Sequence, residues 1–400
     1  MKYISIITGT PLTQVQGVNY FIKSFLGCNK LFKNVIVNRV YSAKQCLHVD
    51  EGDAMPIGSD VGTTEYKVRT FVRTTLRKLL TSKFYPFALF RYELNRRYNS
   101  KKSVEYYFRD EVECDCIIFQ EMSGAEYYFK HIQQSRNDKR PKTMLVIHSE
   151  DDSCRMLLEK FEGYGRRDME RRLMKIRDFV YKNVDKVIYI SKKAYNSSIM
   201  PIEKRGFVYN GSPNIEYQFT SKLNDDIQFV CVGSMDGRKG QDVILQAMGS
   251  MDECTLQRIH VTFIGDGSEL GNLQNMSSEL GLSPYVTFAG QRDDVPDLLR
   301  DKDVFIMPST AEGLPMSAIE ALRAGLFLIL TDTGGNAELC DEGCGFVCTR
   351  NPMDVKKKMM DVIGSSIVSM DQKEKCRSRF LNEYSLEKMS ENYENLILSL

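Results

Sequence analysis

Short apolar runs alternate with longer helical or polar segments along the whole chain. In the first half these runs predict strands at 3–8, 34–41, 114–120, 143–149 and 186–191. A second series predicts strands at 227–234, 260–267, 286–290, 304–309 and 326–332. Strands separated by helical segments of about 10–15 residues are typical of parallel sheets built from βαβ units. The pattern therefore predicts an α/β protein with two Rossmann-like, doubly wound parallel sheets.

The boundary between the two series lies in residues 211–226, which are polar and have no apolar period. We predict an N-terminal domain over residues 1–213 and a C-terminal domain over residues 214–383. Ligands of doubly wound sheets bind outside the carboxyl ends of the strands, and two such domains facing each other would form a cleft.

Composition indicates a globular chain without a membrane span. Of the 400 residues, 42% are apolar and 27% are charged. No apolar run reaches the roughly 18–20 residues that a membrane-spanning helix needs, and the first residues lack the features of a signal peptide. Eleven cysteines spread along the chain are typical of reduced thiols. We therefore expect a cytoplasmic protein.

Charge is distributed unevenly between the two halves. Residues 1–213 hold 37 basic and 24 acidic side chains, whereas residues 214–400 hold 17 and 29. The densest basic region is 67–102, where Glu93 is the only acid. It is interpreted either as a core-packed helix with a solvated basic edge or as a surface that binds an anionic membrane. Nucleic acid is not expected, because no binding motif accompanies the charge.

A candidate phosphate loop follows the first strand of the second series. The stretch VGSMDGRKGQDVILQAM leads from Gly233 past Arg238 and Lys239 into a helix that begins near Gln241. Two cations beside the free N–H groups of a helix N-terminus are suited to a phosphate. The alternative is a solvated turn.

The stretch PSTAEGLPMSAIEALRAG, residues 308–325, places Glu312 and Glu320 on either side of a turn into a helix. One arrangement uses both carboxylates: Glu312 would bind sugar hydroxyls, and Glu320 would bind the vicinal diol of a ribose. Alternatively, Ser317 and Glu320 would form a capping box. The acidic DKD at 301–303 precedes a strand rather than following it, so we do not expect it to bind a metal.

The stretch 308–325 resembles the E-x7-E motif of the retaining GT-B glycosyltransferases, in particular family 4 (glycosyl transferases group 1). The resemblance also covers residues 233–240 and continues from residue 308 through TDTGGNAE to residue 338. It further covers the interdomain passages 184–191 and 209–212. It also implies that a C-terminal helix at about 384–400 packs back on the first domain. Before residue 184, only a strand, QGVNYFIKSFL and IHSED resemble the family.

The resemblance implies a role for each matching residue. Glu312 and His148 would contact the transferred sugar, as the catalytic residues. The donor-binding residues would be Arg238, Lys239, Gly313, Leu314, Glu320 and Gly17. Lys239 would bind the diphosphate and Glu320 the ribose. The family often has an arginine where Ser234 stands, and Arg238 would replace it.

The activity implied is metal-independent transfer of a sugar from a UDP- or GDP-linked donor, without a cofactor and with retained anomeric configuration. The implied acceptor is a lipid-linked glycan of bacterial capsule, O-antigen or exopolysaccharide synthesis, reached at the inner face of the cell membrane. Two alternatives remain: a non-catalytic sugar-binding or scaffold subunit, and a dinucleotide-binding oxidoreductase. Against the oxidoreductase, GTPLTQVQG rather than G-x-G-x-x-G follows the first strand.

Overall fold

The computed structural model describes residues 1–9, 17–43, 46–49, 85–110, 112–135, 140–150, 158, 163–217, 226–365 and 367–400. Contacts divide the chain into two units. The first unit comprises Met1–Tyr189, Ser197–Val208 and Ser390–Leu400, and the second comprises Ile190–Asn196 and Tyr209–Met389. The predicted domain bounds, 1–213 and 214–383, stay predictions.

The first unit contains a seven-stranded sheet in the order β3-β2-β1-β4-β5-β6-β7. All neighbouring strands are parallel except β3, which is antiparallel to β2. The strands are β1 (Lys2–Ile7), β2 (Val35–Tyr41), β3 (Cys46–His48), β4 (Cys116–Phe119), β5 (Lys142–Ile147), β6 (Lys186–Tyr189) and β7 (Arg205–Phe207). The strand order reverses between β1 and β4, which is the point where doubly wound sheets bind ligands.

Within the described residues, four helices of the first unit precede residue 190. They are α1 (Gly17–Gly27), α2 (Tyr85–Asp110), α3 (Met122–Ser135) and α4 (Gly163–Asn183). The basic region 67–102 is described only from residue 85, where it forms the start of α2; residues 67–84 lie outside the described residues. Residues 390–400 also belong to this unit, and the rings of Phe25 and Tyr393 pack edge to face with centroids 4.7 Å apart.

The second unit contains a six-stranded parallel sheet in the order β10-β9-β8-β11-β12-β13. The strands are β8 (Ile227–Val232), β9 (Ile259–Ile264), β10 (Val286–Gly290), β11 (Val304–Met307), β12 (Phe327–Thr331) and β13 (Gly345–Cys348). Here the order reverses between β8 and β11. Every residue of β11 and β12 is buried, as a sheet covered on both faces requires.

Short helices connect these strands. They are α6 (Gln241–Gly249), α7 (Glu253–Leu256), α8 (Leu270–Glu279), α9 (Val295–Arg300), α10 (Met316–Arg323), α11 (Asn336–Cys340), α12 (Pro352–Ile363) and α13 (Met370–Arg379). Helix α5 (Lys192–Ser197) precedes them in the chain, and α14 (Leu386–Leu398) follows them. None of the helices within the described ranges is long and apolar enough to span a membrane.

The prediction of two doubly wound sheets is confirmed, and each of the ten predicted strands is present. Three further strands within the described residues were missed: β3, β7 and β13 have three or four residues and no sustained apolar run. All three lie at the edge of a sheet, where pairing with one neighbour needs little apolar sequence of its own.

Candidate functional site

Three loops meet at the carboxyl edge of the second unit's sheet, where the strand order reverses. They follow β8 (233–240), β11 (308–315) and β12 (332–336). The N–H of Thr310 donates to the carbonyl of Arg238 at 2.9 Å, and the N–H of Gly335 donates to the carbonyl of Gly313 at 2.6 Å. These main-chain bonds join the three loops into one surface.

Lys239 and Glu312 form a buried ion pair on this surface. The Lys239 Nζ lies 2.8 Å from the Glu312 Oε1, and the two side chains are 11% and 7% exposed. The lysine stem passes over Gly233, where a Cβ would lie only 3.1 Å from the Lys239 Cε. The fold therefore brings together two side chains 73 residues apart, one cation and one anion, with little water around either.

Two glycines allow the loops to approach this closely. Gly240, the N-cap of α6, has φ of 83°, and a Cβ there would lie 2.2 Å from the Pro308 carbonyl oxygen. Gly334 has φ of 54°, and a Cβ there would lie 2.1 Å from the Glu312 carbonyl oxygen. Because both a positive φ and the absence of a Cβ are needed, glycine is required at these two positions.

Arg238 presents a second cation at the same edge. Its N–H donates to the Asp236 Oδ1 at 3.1 Å, whereas its half-buried guanidinium makes no hydrogen bond or ion pair with any other described residue. The hydroxyl of Ser234 donates to the other Asp236 oxygen at 3.1 Å, and Gln241 Nε2 donates to the Ser234 carbonyl at 3.3 Å. Ser234 thus holds the shape of the loop through Asp236 and Gln241.

The capping box is absent, so that interpretation of Glu320 is wrong. Helix α10 has Pro315 as its N-cap, with no side-chain cap bond, and Ser317 is already its second residue. The proline fixes the start of the helix one turn before Glu320, which is half-buried on α10. Gly313 and Leu314 are buried in the preceding turn, and the Leu314 carbonyl accepts from Asn210 Nδ2 at 3.4 Å.

Two supporting residues were missed by the sequence reasoning. Arg350, just after β13, donates from Nη2 to the Gly237 carbonyl at 2.9 Å and to Asp242 at 3.1 Å, which ties the loop after β8 to a distant strand end. Glu338 accepts hydrogen bonds from the backbone N–H groups of Lys192 and Lys193 at 2.9 and 2.8 Å. Neither contact has a local sequence pattern, since the partners lie more than 100 residues apart.

The acidic DKD stretch has a structural use. Asp303 accepts from the Gln228 N–H at 3.0 Å and pairs with the Lys373 ammonium at 3.0 Å. It therefore secures the start of β11, at the edge of the sheet opposite the three loops. In the part of the chain that the structure describes, no group of three His, Cys, Asp or Glu side chains is placed to hold a metal ion.

This edge has the chemistry to bind an anion beside a polyhydroxyl group. An ammonium, a guanidinium and the N-terminus of α6 lie on one loop, and these groups are suited to phosphate oxygens. The Glu312 carboxylate keeps one oxygen for other donors, such as sugar hydroxyls.

Comparison with known proteins points in the same direction. Residues 214–379 match the family described as glycosyl transferases group 1. The chain is 26% identical over 227 residues to the O-antigen biosynthesis glycosyltransferase WclY of Escherichia coli, covering 54% of this chain and 62% of WclY. It is 28% identical over 140 residues to an E. coli UDP-Gal:alpha-D-GlcNAc-diphosphoundecaprenol alpha-1,3-galactosyltransferase, covering 34% and 36% of the two chains. The chain thus spans less than two thirds of the length of these relatives.

Solved structures decide the fold. The crystal structure of HepE of Anabaena in complex with UDP superimposes with a TM-score of 0.68 at 16% identity, over 100% of both chains. Sucrose-phosphate synthase from Thermosynechococcus elongatus superimposes with a TM-score of 0.67 at 15% identity, over 100% of this chain and 99% of that one. The fold is GT-B.

Six of the eight predicted site residues lie in the second unit of this GT-B fold. The loops of that unit bring four of them together: Arg238, Lys239, Glu312 and Gly313. Gly17 and His148 belong to the first unit. Gly17 is the first residue of α1. His148 follows β5, and its Nε2 lies 2.8 Å from the Oε1 of Gln120, which the sequence reasoning also missed.

The imidazole of His148 is neutral at pH 7. Burial lowers its pKa from 6.5 to about 4, since the charged form loses its hydration. The ring of Phe21 packs edge-on against it, with centroids 4.8 Å apart. A neutral imidazole at the carboxyl end of a strand can bind a hydroxyl group but carries no charge to stabilise an anion.

Proposed function

We propose that the protein is a retaining, family 4 glycosyltransferase that moves a sugar from a nucleoside diphosphate to a hydroxyl acceptor without a metal or cofactor. The observation that carries the proposal is the buried Lys239–Glu312 pair at the point where the second sheet reverses its strand order. This pair combines a cation for a diphosphate with a carboxylate for sugar hydroxyls.

The donor would be held across the three loops. Lys239, Arg238 and the N-terminus of α6 would stabilise the departing diphosphate, each such contact contributing about 2–4 kcal/mol to the transition state. Glu312 would bind hydroxyls of the transferred sugar beside the amides of Gly313 and Leu314. Glu320 would bind the ribose, and Gly17 and His148 would act from the first unit.

In the transfer step, the acceptor oxygen bonds to the anomeric carbon on the face from which the diphosphate leaves. The bond from that carbon to the diphosphate oxygen breaks, and the hydroxyl proton passes to a phosphate oxygen. The positive potential of Lys239 and Arg238 would stabilise the charge that develops on the leaving group. Retention of configuration follows from attack on the same face.

UDP is the nucleotide we favour over GDP, because HepE has been crystallised with UDP and a relative is named for a UDP-linked sugar. The acceptor we propose is a lipid-linked glycan of O-antigen, capsule or exopolysaccharide synthesis, which the name of WclY supports. Such an acceptor would place the protein at the inner face of the cell membrane, with basic residues 67–102 against anionic lipid.

Thermal unfolding with a panel of nucleotides tests the donor site. A ligand at about 100 times its dissociation constant adds about 2.7 kcal/mol of stability. We expect stabilisation by UDP, weaker effects of GDP, ADP and NAD, and loss of the UDP effect in Lys239→Ala. The matched control is Lys373→Ala, which removes a lysine of a similarly buried ion pair at the opposite edge of the sheet. No stabilisation by any nucleoside diphosphate would favour a scaffold subunit.

The chemistry needs its own assay. Turnover of a UDP-sugar should survive chelation of divalent cations by EDTA, and proton NMR of the product should show the anomeric configuration of the donor. An inverted product, or activity abolished by EDTA and restored by a cation, would contradict the mechanism. Sedimentation with phosphatidylglycerol vesicles at low and high salt would test the membrane surface.

A further inference from the structure

A buried amide lies against His148 at the carboxyl edge of the first unit's sheet. Gln120 follows β4, His148 follows β5, and the two strands are parallel neighbours. The Gln120 N–H donates to the Ile7 carbonyl at 3.0 Å, so its backbone is held by the end of β1. The Gln120 residue is only 3% exposed. The main-chain hydrogen bond and the burial therefore fix the position of the side chain that contacts the imidazole.

The contact determines which ring nitrogen carries the proton. The Gln120 Oε1, 2.8 Å from the His148 Nε2, is a carbonyl oxygen and can only accept. With the amide in this orientation, Nε2 is the donor and carries the proton. In a neutral imidazole the Nδ1 atom keeps its lone pair, and here it makes no hydrogen bond to another described residue. Nδ1 is therefore an acceptor without a partner from the described part of the chain.

The amide nitrogen of Gln120 gives independent support for a ligand. It is buried and has no hydrogen-bond partner among the described residues. An unsatisfied buried donor costs about 1–3 kcal/mol, and native proteins retain few of them. An oxygen of a bound molecule would satisfy this donor.

We propose that Gln120 is a positioning residue that holds His148 as the Nε2–H tautomer, so that Nδ1 accepts a hydrogen bond from a hydroxyl group of the sugar substrate. The proposal rests on the proposed function for the role of His148. It adds the direction of that hydrogen bond and the residue that sets it. No charged group among the described residues contributes to the pKa of His148, whose neighbours are the Phe21 ring and the Gln120 amide.

The tautomer can be observed in the full-length protein without any turnover. A long-range proton–nitrogen NMR spectrum at pH 7 distinguishes the two ring nitrogens, and the chain has only four histidines. His148→Gln assigns the signal. We expect a protonated Nε2 and an unprotonated Nδ1 in the wild type, and a mixture of both tautomers in Gln120→Leu. A wild-type ring protonated at Nδ1, or an unchanged spectrum in Gln120→Leu, would overturn the proposal.

Kinetics test the consequence for the substrate. Gln120→Leu should lower kcat about tenfold, the effect of one hydrogen bond. Gln120→Glu keeps an acceptor on Nε2, so its activity at alkaline pH should exceed that of Gln120→Leu. The carboxylate favours the imidazolium and so raises the pKa of His148. As the pH is lowered, the activity of Gln120→Glu should therefore be lost at a higher pH than that of the wild type. The same pH profile in both proteins would contradict the positioning role.

Ser123→Ala is the matched control, because it removes a buried hydrogen bond of 2.7 Å to Ser100 in the same unit without touching His148. It should leave the His148 spectrum and kcat unchanged. If Ser123→Ala lowers kcat as much as Gln120→Leu does, the effect of Gln120→Leu is general destabilisation and the positioning role is contradicted. If the protein transfers no sugar at all, the proposed function fails, and the spectrum alone still decides the tautomer.

Discussion

Replacing Glu312 by glutamine should separate stability from nucleotide binding, with effects of opposite sign. The amide has the size of the carboxylate but no charge, so Lys239 would be left as a buried cation without its partner. In the presence of UDP, a phosphate oxygen would take the place of the lost carboxylate. We therefore expect Glu312→Gln to unfold more easily than the wild type and yet to bind free UDP at least as tightly.

The magnitudes follow from the burial of the pair, whose side chains are 11% and 7% exposed. Breaking a buried ion pair on one side costs about 3–5 kcal/mol. At about 2–4 °C per kcal/mol for a unit of this size, the lower end of that range corresponds to a fall of about 6–12 °C in Tm. If UDP recovers about 1.4 kcal/mol of the loss, its affinity rises about tenfold. If Glu312 binds the sugar as proposed, turnover should fall by orders of magnitude, because the amide has one acceptor oxygen in place of two and carries no charge.

Differential scanning and isothermal titration calorimetry measure the two quantities. Asp303→Asn is the matched control: its partner Lys373 lies 3.0 Å away, with side chains 13% and 6% exposed, at the other edge of the same sheet. It should lose comparable stability with unchanged affinity for UDP. The reasoning is refuted if Glu312→Gln is as stable as the wild type, or if it loses UDP binding as completely as Lys239→Ala does.

Three further outcomes are expected. Because burial lowers the pKa of His148 from 6.5 to about 4, stability present above pH 6.5 should be lost as the pH falls toward 4, and His148→Gln should flatten this part of the Tm profile. Gly334→Ala, strained at φ of 54°, should lower both Tm and turnover, whereas Gly271→Ala, with open space around its Cβ, should leave turnover unchanged. Arg350→Ala should weaken UDP binding several-fold by calorimetry, because the guanidinium no longer holds the Gly237 carbonyl; equal affinity would assign Arg350 to the surface alone.

The sheets could be predicted because their central strands are buried on both faces and read as continuous apolar runs. β11 and β12 are examples, each buried at every position. β7 and β13 could not be predicted in this way, because a short strand beside an established sheet is stabilised by main-chain pairing rather than by its own apolar pattern. Tertiary pairing determined these elements.

Within the site, the sequence predicted residues that are recognisable by their type and by their position next to a strand or helix. Lys239 and Arg238 stand beside a helix start, and Glu312 stands in a loop after a strand. What the sequence did not contain was the partner of each side chain. The Lys239–Glu312 pair and the Gln120–His148 contact join residues on different loops, so only the order of the strands in each sheet brings them together.

The close approach of Gly240 to Pro308 and of Gly334 to Glu312 also bears on how this site can evolve. At these two positions the main chain of one loop lies against that of another with no room for a methyl group. Almost no substitution of either glycine should therefore be neutral. If the loops bind a sugar as proposed, new specificity would arise by exchange of the side chains that border these close contacts, such as Leu314, rather than by remodelling the loops themselves. A mutational scan should accordingly find that Gly240 and Gly334 do not tolerate substitution. The positions around them should tolerate changes that alter ligand selectivity.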